Sequence, residues 1–130
     1  MHLIMDGPCK NTALMRDPGL LSRWLHDTAI KADMTPHGEP FIDGFAWPGS
    51  DDKDALSGVQ FLKESAIMIH TWPEVPYAFV DVFSCRDFDA LTLERHIRET
   101  LGMGPAKPLI LERGVNPTTG VIVSTRLRRP

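Results

Sequence analysis

Residues 77 to 85, Tyr-Ala-Phe-Val-Asp-Val-Phe-Ser-Cys, constrain the fold most, because they are rich in β-branched and aromatic residues. They read as the clearest strand in the chain. Residues 56 to 63 alternate weakly, residues 65 to 71 follow at once, and Pro73 ends that run, so two further strands lie directly upstream. Shorter extended segments cover residues 2 to 6, 41 to 47, 108 to 112 and 120 to 125. Two helices separate them. Asp17 caps the first with Pro18 at its first helical position, and Leu21, Trp24, Leu25 and Thr28 mark its apolar face up to about Met34. Asp87 or Asp89 caps the second, Ala90, Leu93, Ile97 and Leu101 form its apolar stripe, and Gly102 ends it. This order predicts an α+β fold, a two-layer sandwich with a largely antiparallel sheet and two helices on one face. One domain over residues 1 to 130 accommodates it, with a modest core.

The bulk numbers exclude several function classes. A net charge of -3 offers no surface for nucleic acid or an anionic membrane, and the basic cluster Arg126, Arg128 and Arg129 reads as a solvated tail. No apolar run reaches the roughly 18 residues of a membrane span, and residues 1 to 6 lack the pattern of a signal peptide. A cytoplasmic protein is the expectation. Two cysteines, Cys9 and Cys85, are too few for a disulfide scaffold, and five scattered histidines lack ligand spacing, so no metal site is expected.

The chemistry is carried by spacing. Glu64-Ser65 is followed by His70-Thr71-Trp72-Pro73-Glu74 and then by Cys85, with Leu56-Ser57-Gly58-Val59 just upstream. Each piece alone is ordinary: a strand end, a structural histidine, a core cysteine, a turn serine. Together, residues 56 to 85 closely resemble the prokaryotic S-adenosylmethionine decarboxylase family, small pyruvoyl-dependent enzymes of polyamine synthesis.

The resemblance implies self-cleavage between Glu64 and Ser65, giving a β chain of residues 1 to 64 and an α chain of residues 65 to 130. It implies that Ser65 becomes a pyruvoyl cofactor, that Ser57 and His70 assist processing, that Cys85 donates a proton in catalysis, and that Glu74 lies near the substrate. It implies a small-molecule substrate and a homodimer of processed protomers. The chemistry is coherent. A serine hydroxyl can attack its own preceding carbonyl in an N-to-O acyl shift if the oxyanion is stabilised, a task suited to a hydroxyl such as Ser57. A base such as the His70 imidazole then removes the serine α-proton, and elimination and hydrolysis leave the pyruvoyl group. That ketone forms a Schiff base with the substrate amine and accepts the electrons left by carbon dioxide. One difficulty is geometric. Ser65 and His70 have opposite parity in an unbroken strand, which a kink or bulge near the cleavage bond would relieve.

The chain departs from the family at two places. Ala66 stands where the family has His after the cleaved Ser. The aromatic residue that stacks on the substrate's adenine is missing from the stretch before Ser57, which reads Asp51-Asp52-Lys53-Asp54-Ala55; Phe45 and Trp47 lie upstream. Such a stack is worth about 1–3 kcal/mol. Asp51, Asp52 and Asp54 would instead suit a cationic side chain. The chain resembles in this the family members that have lost the adenine site and decarboxylate L-ornithine or L-arginine, which favours one of these as substrate, with S-adenosylmethionine as the alternative. A solvated acidic loop is the competing reading of these carboxylates. An unprocessed, non-catalytic regulatory relative is the remaining alternative, and Ala66 supports it.

Overall fold

The computed structural model describes residues 1–46, 48–49, 54–116 and 118–128. Its elements run β1 (His2–Pro8), α1 (Thr12–Arg16), α2 (Pro18–Lys31), β2 (Phe41–Phe45), β3 (Ala55–Leu62), β4 (Ser65–Trp72), β5 (Tyr77–Ser84), α3 (Ala90–Leu101), β6 (Leu109–Val115) and β7 (Ile122–Leu127). The strands form one antiparallel sheet in the order β2-β3-β4-β5-β1-β6-β7. The α+β reading holds, with a third, short helix added. Trp47, Asp51 and Asp52, singled out from the sequence, lie outside the described residues.

Alternation decides which face of the sheet is covered. Leu3 pairs with Val82, Val82 with Ile67, and Ile67 with Gln60; Met5, Val80 and Ile69 repeat the pattern one pleat on. All of these are fully buried. The apolar ones pack in one cluster with Met15 of α1, Leu21 and Leu25 of α2, and Leu93, Ile97 and Leu101 of α3. The residues between them, such as Phe61, Met68 and His70, point to the uncovered face.

The differences from expectation have local causes. Asn11 accepts the Leu14 N–H and starts α1, a helix of five residues too brief to leave a periodic signal. Asp17 then ends α1 and caps α2, accepting the Leu20 N–H at 3.0 Å. Helix α2 stops at Lys31 rather than near Met34 because Asp33 takes a left-handed conformation (φ 55) and Met34 N–H turns back to the Ala29 carbonyl. Between the two candidate caps of α3 the structure selects Asp89, whose carboxylate accepts the Thr92 N–H and hydroxyl; these bonds hold its carboxyl below the usual range.

Gly58 explains why a glycine follows Ser57. A Cβ there would lie 2.8 Å from both Leu25 Cδ1 of α2 and Ile42 Cδ1 of β2. The missing side chain lets the helix layer close onto β3. Gly58→Ala is expected to lower stability by about 1–3 kcal/mol, because two core side chains must move aside; thermal or urea unfolding measures it.

The contact between α2 and α3 adds a pH dependence. His96 Nε2 lies 3.1 Å from the hydroxyl of fully buried Thr28. Burial, reinforced by Lys31 and opposed by Asp27 and Glu99, pushes the His96 pKa below the ordinary 6.5. The unfolded chain therefore binds the extra proton more readily. The stabilisation is complete above pH 6.5 and is lost as pH falls through the lowered folded value. Urea titrations between pH 7.5 and about 5 should show this slope, and His96→Gln should flatten it.

Candidate active site

The predicted site residues fall into two groups at opposite ends of β4. At one end β3 and β4 are joined by Lys63 and Glu64 alone, with Leu62 paired to Ser65 across the turn. Glu64 adopts φ 66, the left-handed region that non-glycine residues avoid at roughly 1–2 kcal/mol. Ser65 opens β4 and pairs with Ser84 at the end of β5, so Cys85 emerges beside the turn.

Two contacts tie Cys85 to the predicted cleavage bond. Its backbone N–H donates to Ser65 Oγ at 3.3 Å, and its thiol donates to the Glu64 carbonyl oxygen at 3.0 Å. That carbonyl is the one a Ser65 hydroxyl would attack. A donor placed on it stabilises charge developing on the oxygen, the role sequence reasoning had given to Ser57. Cys85 is exposed. Cys9 contrasts with it, since burial drives that thiol up to about 11 and leaves it chemically quiet. A cavity of about 310 Å³ opens on the turn, lined by Lys63, Glu64, Ser65, Cys85 and Arg86 together with Met34 and Thr35 from the segment after α2.

The second group gathers on the uncovered face. Ser57 and His70 are cross-strand partners, and Ser57 Oγ lies 2.8 Å from His70 Nδ1. Glu74 is exposed in the turn joining β4 to β5. Trp72, Phe79 and Tyr77 form an aromatic group beside them, with ring centroids 5.3 Å apart for Trp72–Phe79 and 5.1 Å for Tyr77–Phe79. Phe79 sits directly opposite His70. The sequence held a clue to this group, because Trp72, Tyr77 and Phe79 share a strand face once the turn at residues 73 to 76 closes the hairpin.

The two groups do not meet within one chain. Five residues of extended strand separate Ser65 from His70, about 17 Å at 3.3 Å per residue. The expected bulge does not occur, since β4 keeps an unbroken register with β5 from Ser65 to Trp72. Ser65 shares the parity of buried Ile67 and Ile69, and His70 that of exposed Met68. The unusual backbone lies instead at Glu64, in the turn before Ser65.

Of the three aspartates before Ser57, Asp54 lies among the described residues. Asp54 pairs with Arg16 of α1 at 3.5 Å, both side chains being about half exposed. Its carboxylate already has a cationic partner within the chain. Among the described residues no group of three His, Cys, Asp or Glu could hold a metal ion, and no helix is long and apolar enough to cross a membrane.

The family model described as S-adenosylmethionine decarboxylase matches residues 1–114. The chain belongs to that family. It is 59% identical over 86 residues to the S-adenosylmethionine decarboxylase proenzyme of Clostridium tetani, covering 66% of this chain and 63% of that protein. It is 40% identical over 70 residues to the protein of the same name from Acidithiobacillus ferrooxidans, covering 51% and 50%. The chain thus spans about half the length of the Acidithiobacillus relative and under two thirds of the Clostridium one. The crystal structure of adenosylmethionine decarboxylase from Aquifex aeolicus shares the fold, with a TM-score of 0.67 and 23% identity over 82% of this chain and 83% of that one. The names of these relatives refer to S-adenosylmethionine or adenosylmethionine, not to L-ornithine or L-arginine.

The thiol contact gives a direct test. Cys85→Ala removes the donor on the Glu64 carbonyl while leaving the backbone N–H on Ser65. Self-cleavage of freshly made protein, followed by intact mass, is expected to slow by roughly tenfold to a hundredfold. Cys85→Ser is expected to keep most of the rate.

Proposed function

We propose that this chain is the proenzyme of a pyruvoyl-dependent decarboxylase that cuts itself between Glu64 and Ser65 and acts on S-adenosylmethionine. The carrying observation is the cleavage turn, where a left-handed Glu64 presents its carbonyl to the Cys85 thiol at 3.0 Å, next to Ser65. Ser65 Oγ attacks the Glu64 carbonyl carbon, and the carbon–nitrogen bond breaks to leave an ester and a free amine. A base removes the Ser65 α-proton, and the Glu64 carboxylate departs. Hydrolysis of the remaining dehydroalanine releases ammonia. The residues present fit a pyruvoyl group at position 65, because the cavity of about 310 Å³ opens onto Ser65 and Cys85 alike. Once formed, that group supplies an electrophilic carbonyl for the substrate amine and accepts the electrons left by carbon dioxide. The Cys85 thiol, held beside position 65, gives a proton to the substrate carbon that carbon dioxide has left.

The base must come from elsewhere, since His70 of the same chain is about 17 Å along the strand and on the other face. A homodimer supplies it: the Ser57–His70 pair of a second copy meets the Glu64–Ser65 turn of the first, and Glu74 comes with it. The uncovered sheet face supports such pairing, with Phe41, Phe61 and Met68 exposed at 64%, 57% and 41%.

Two observations favour S-adenosylmethionine over a basic amino acid. The Trp72, Phe79 and Tyr77 rings beside His70 offer a surface for a purine, which residues 51 to 55 cannot. Asp54, one of the three carboxylates that suggested a cationic substrate, pairs instead with Arg16.

Carbon dioxide release from S-adenosylmethionine, L-ornithine and L-arginine decides the substrate, and release from S-adenosylmethionine is expected. Turnover of either amino acid alone overturns the assignment. A chain that stays uncut overturns the enzyme reading and leaves the non-catalytic relative. Mixing tests the shared site: Ser65→Ala and His70→Ala chains should each remain intact alone, and co-refolding should restore cleavage of the His70→Ala chain. Mixed dimers that stay uncut exclude the sharing.

A further inference from the structure

Thr71, between His70 and Trp72, has no part in the chemistry above, yet it is the most closely held polar side chain near the Ser57–His70 pair. It is fully buried. Its hydroxyl donates to the Met15 carbonyl at 2.8 Å and accepts the Leu56 N–H at 3.1 Å. Both sides of the hydroxyl are therefore used.

The position of these bonds matters. Backbone pairing of β3 with β4 ends at Ser57–His70. Leu56, the next residue out, is buried at 3% exposure, and its N–H meets the Thr71 side chain where a ladder carbonyl would otherwise stand. Met15 lies in the last turn of α1, where carbonyls lack partners inside the helix. One hydroxyl thus joins α1, β3 and β4 on the core side of the same residue pair whose side chains meet on the uncovered side.

We propose that Thr71 is a positioning residue for self-processing: it pins the end of β3 so that Ser57 stays within hydrogen-bond reach of His70. Removing the hydroxyl leaves a buried N–H and a buried carbonyl unpaired, and both gain by moving apart to admit water. The Ser57–His70 contact at 2.8 Å is next to that opening and lengthens with it. The inference rests on the processing role of the pair set out under Proposed function.

The experiment compares first-order self-cleavage rates, by intact mass after refolding, in the full chain and three variants. Thr71→Val keeps shape and loses the hydroxyl, and is expected to cleave at least about tenfold more slowly. Thr71→Ser restores the hydroxyl and is expected to cleave within about threefold of the unaltered chain. Thr28→Val removes an equally buried hydroxyl whose partner is His96 of α3 and not a residue of β3 or β4, and is expected to lose stability with an unchanged rate. If Thr71→Val does not fold, Thr71→Cys takes its place, with similar volume and a weaker donor, and an intermediate rate is expected. The proposal is overturned if Thr71→Val or its replacement cleaves at the unaltered rate, if serine fails to rescue, or if Thr28→Val slows cleavage as much. An unaltered chain that never cleaves fails the processing reading itself, a different result from equal rates in cleaving proteins.

Discussion

The candidate site depends on β4 being straight. Its eight residues pair with β5 throughout and with β3 up to His70, and no residue is inserted. Register then dictates the rest. Ser65 opposite Ser84 brings Cys85 to the cleavage turn, and His70 opposite Ser57 makes the second pair. The same register holds these pairs apart, because an extended strand cannot shorten and an even-numbered residue cannot join an odd-numbered one on its face. A second copy of the chain is the economical way to reunite them, and the uncovered sheet face is where a copy would pack.

The clearest strand was legible from its β-branched and aromatic residues, and the helices from their period. Residues 77 to 84 form β5, and Leu93, Ile97 and Leu101 of the α3 stripe pack in the core, as expected. Helix α1 was not legible, since five residues give no period and its cap, Asn11, resembles any loop asparagine. The site was half legible. Spacing marked Glu64, Ser65, Ser57, His70 and Cys85, and cross-strand pairing explains why those spacings go together. Spacing could not reveal that Cys85 sits on the Glu64 carbonyl while Ser57 sits on His70, because the hairpin turn decides which residues meet. The kink or bulge expected near Ser65 is absent from the strand, and the unusual backbone is the left-handed Glu64 in the turn before it.

Asp54, in the acidic stretch before Ser57, shows how a charge changes meaning once its partner is known. Three aspartates in four residues suggested a pocket for a cationic substrate. Asp54 instead meets Arg16, a half-exposed ion pair of the kind that contributes about 0–1 kcal/mol. The aromatic surface that seemed lost from residues 51 to 55 has a counterpart in the β4–β5 hairpin, where Trp72, Tyr77 and Phe79 converge. Both revisions move the substrate reading in the same direction, and neither was available until strand pairing placed the side chains.

The position of the proposed cleavage bond in the sheet has its own logic. Within a ladder, the Glu64 carbonyl would accept a backbone N–H, and cutting there would split a strand. In the two-residue turn it is free to take the Cys85 thiol, and cutting spares every strand. The segments on either side remain interleaved. Strands β1, β2 and β3 lie before the bond and β4 to β7 after it, yet β1 is seated between β5 and β6, and β3 lies against β4. Three ladders, β3–β4, β1–β5 and β1–β6, would therefore hold the two pieces together after a cut. Breaking the bond would release the left-handed Glu64 from its constraint while leaving the sheet and its core intact. A turn that is strained and polarised is a place in this sheet where a backbone cut would leave every strand whole.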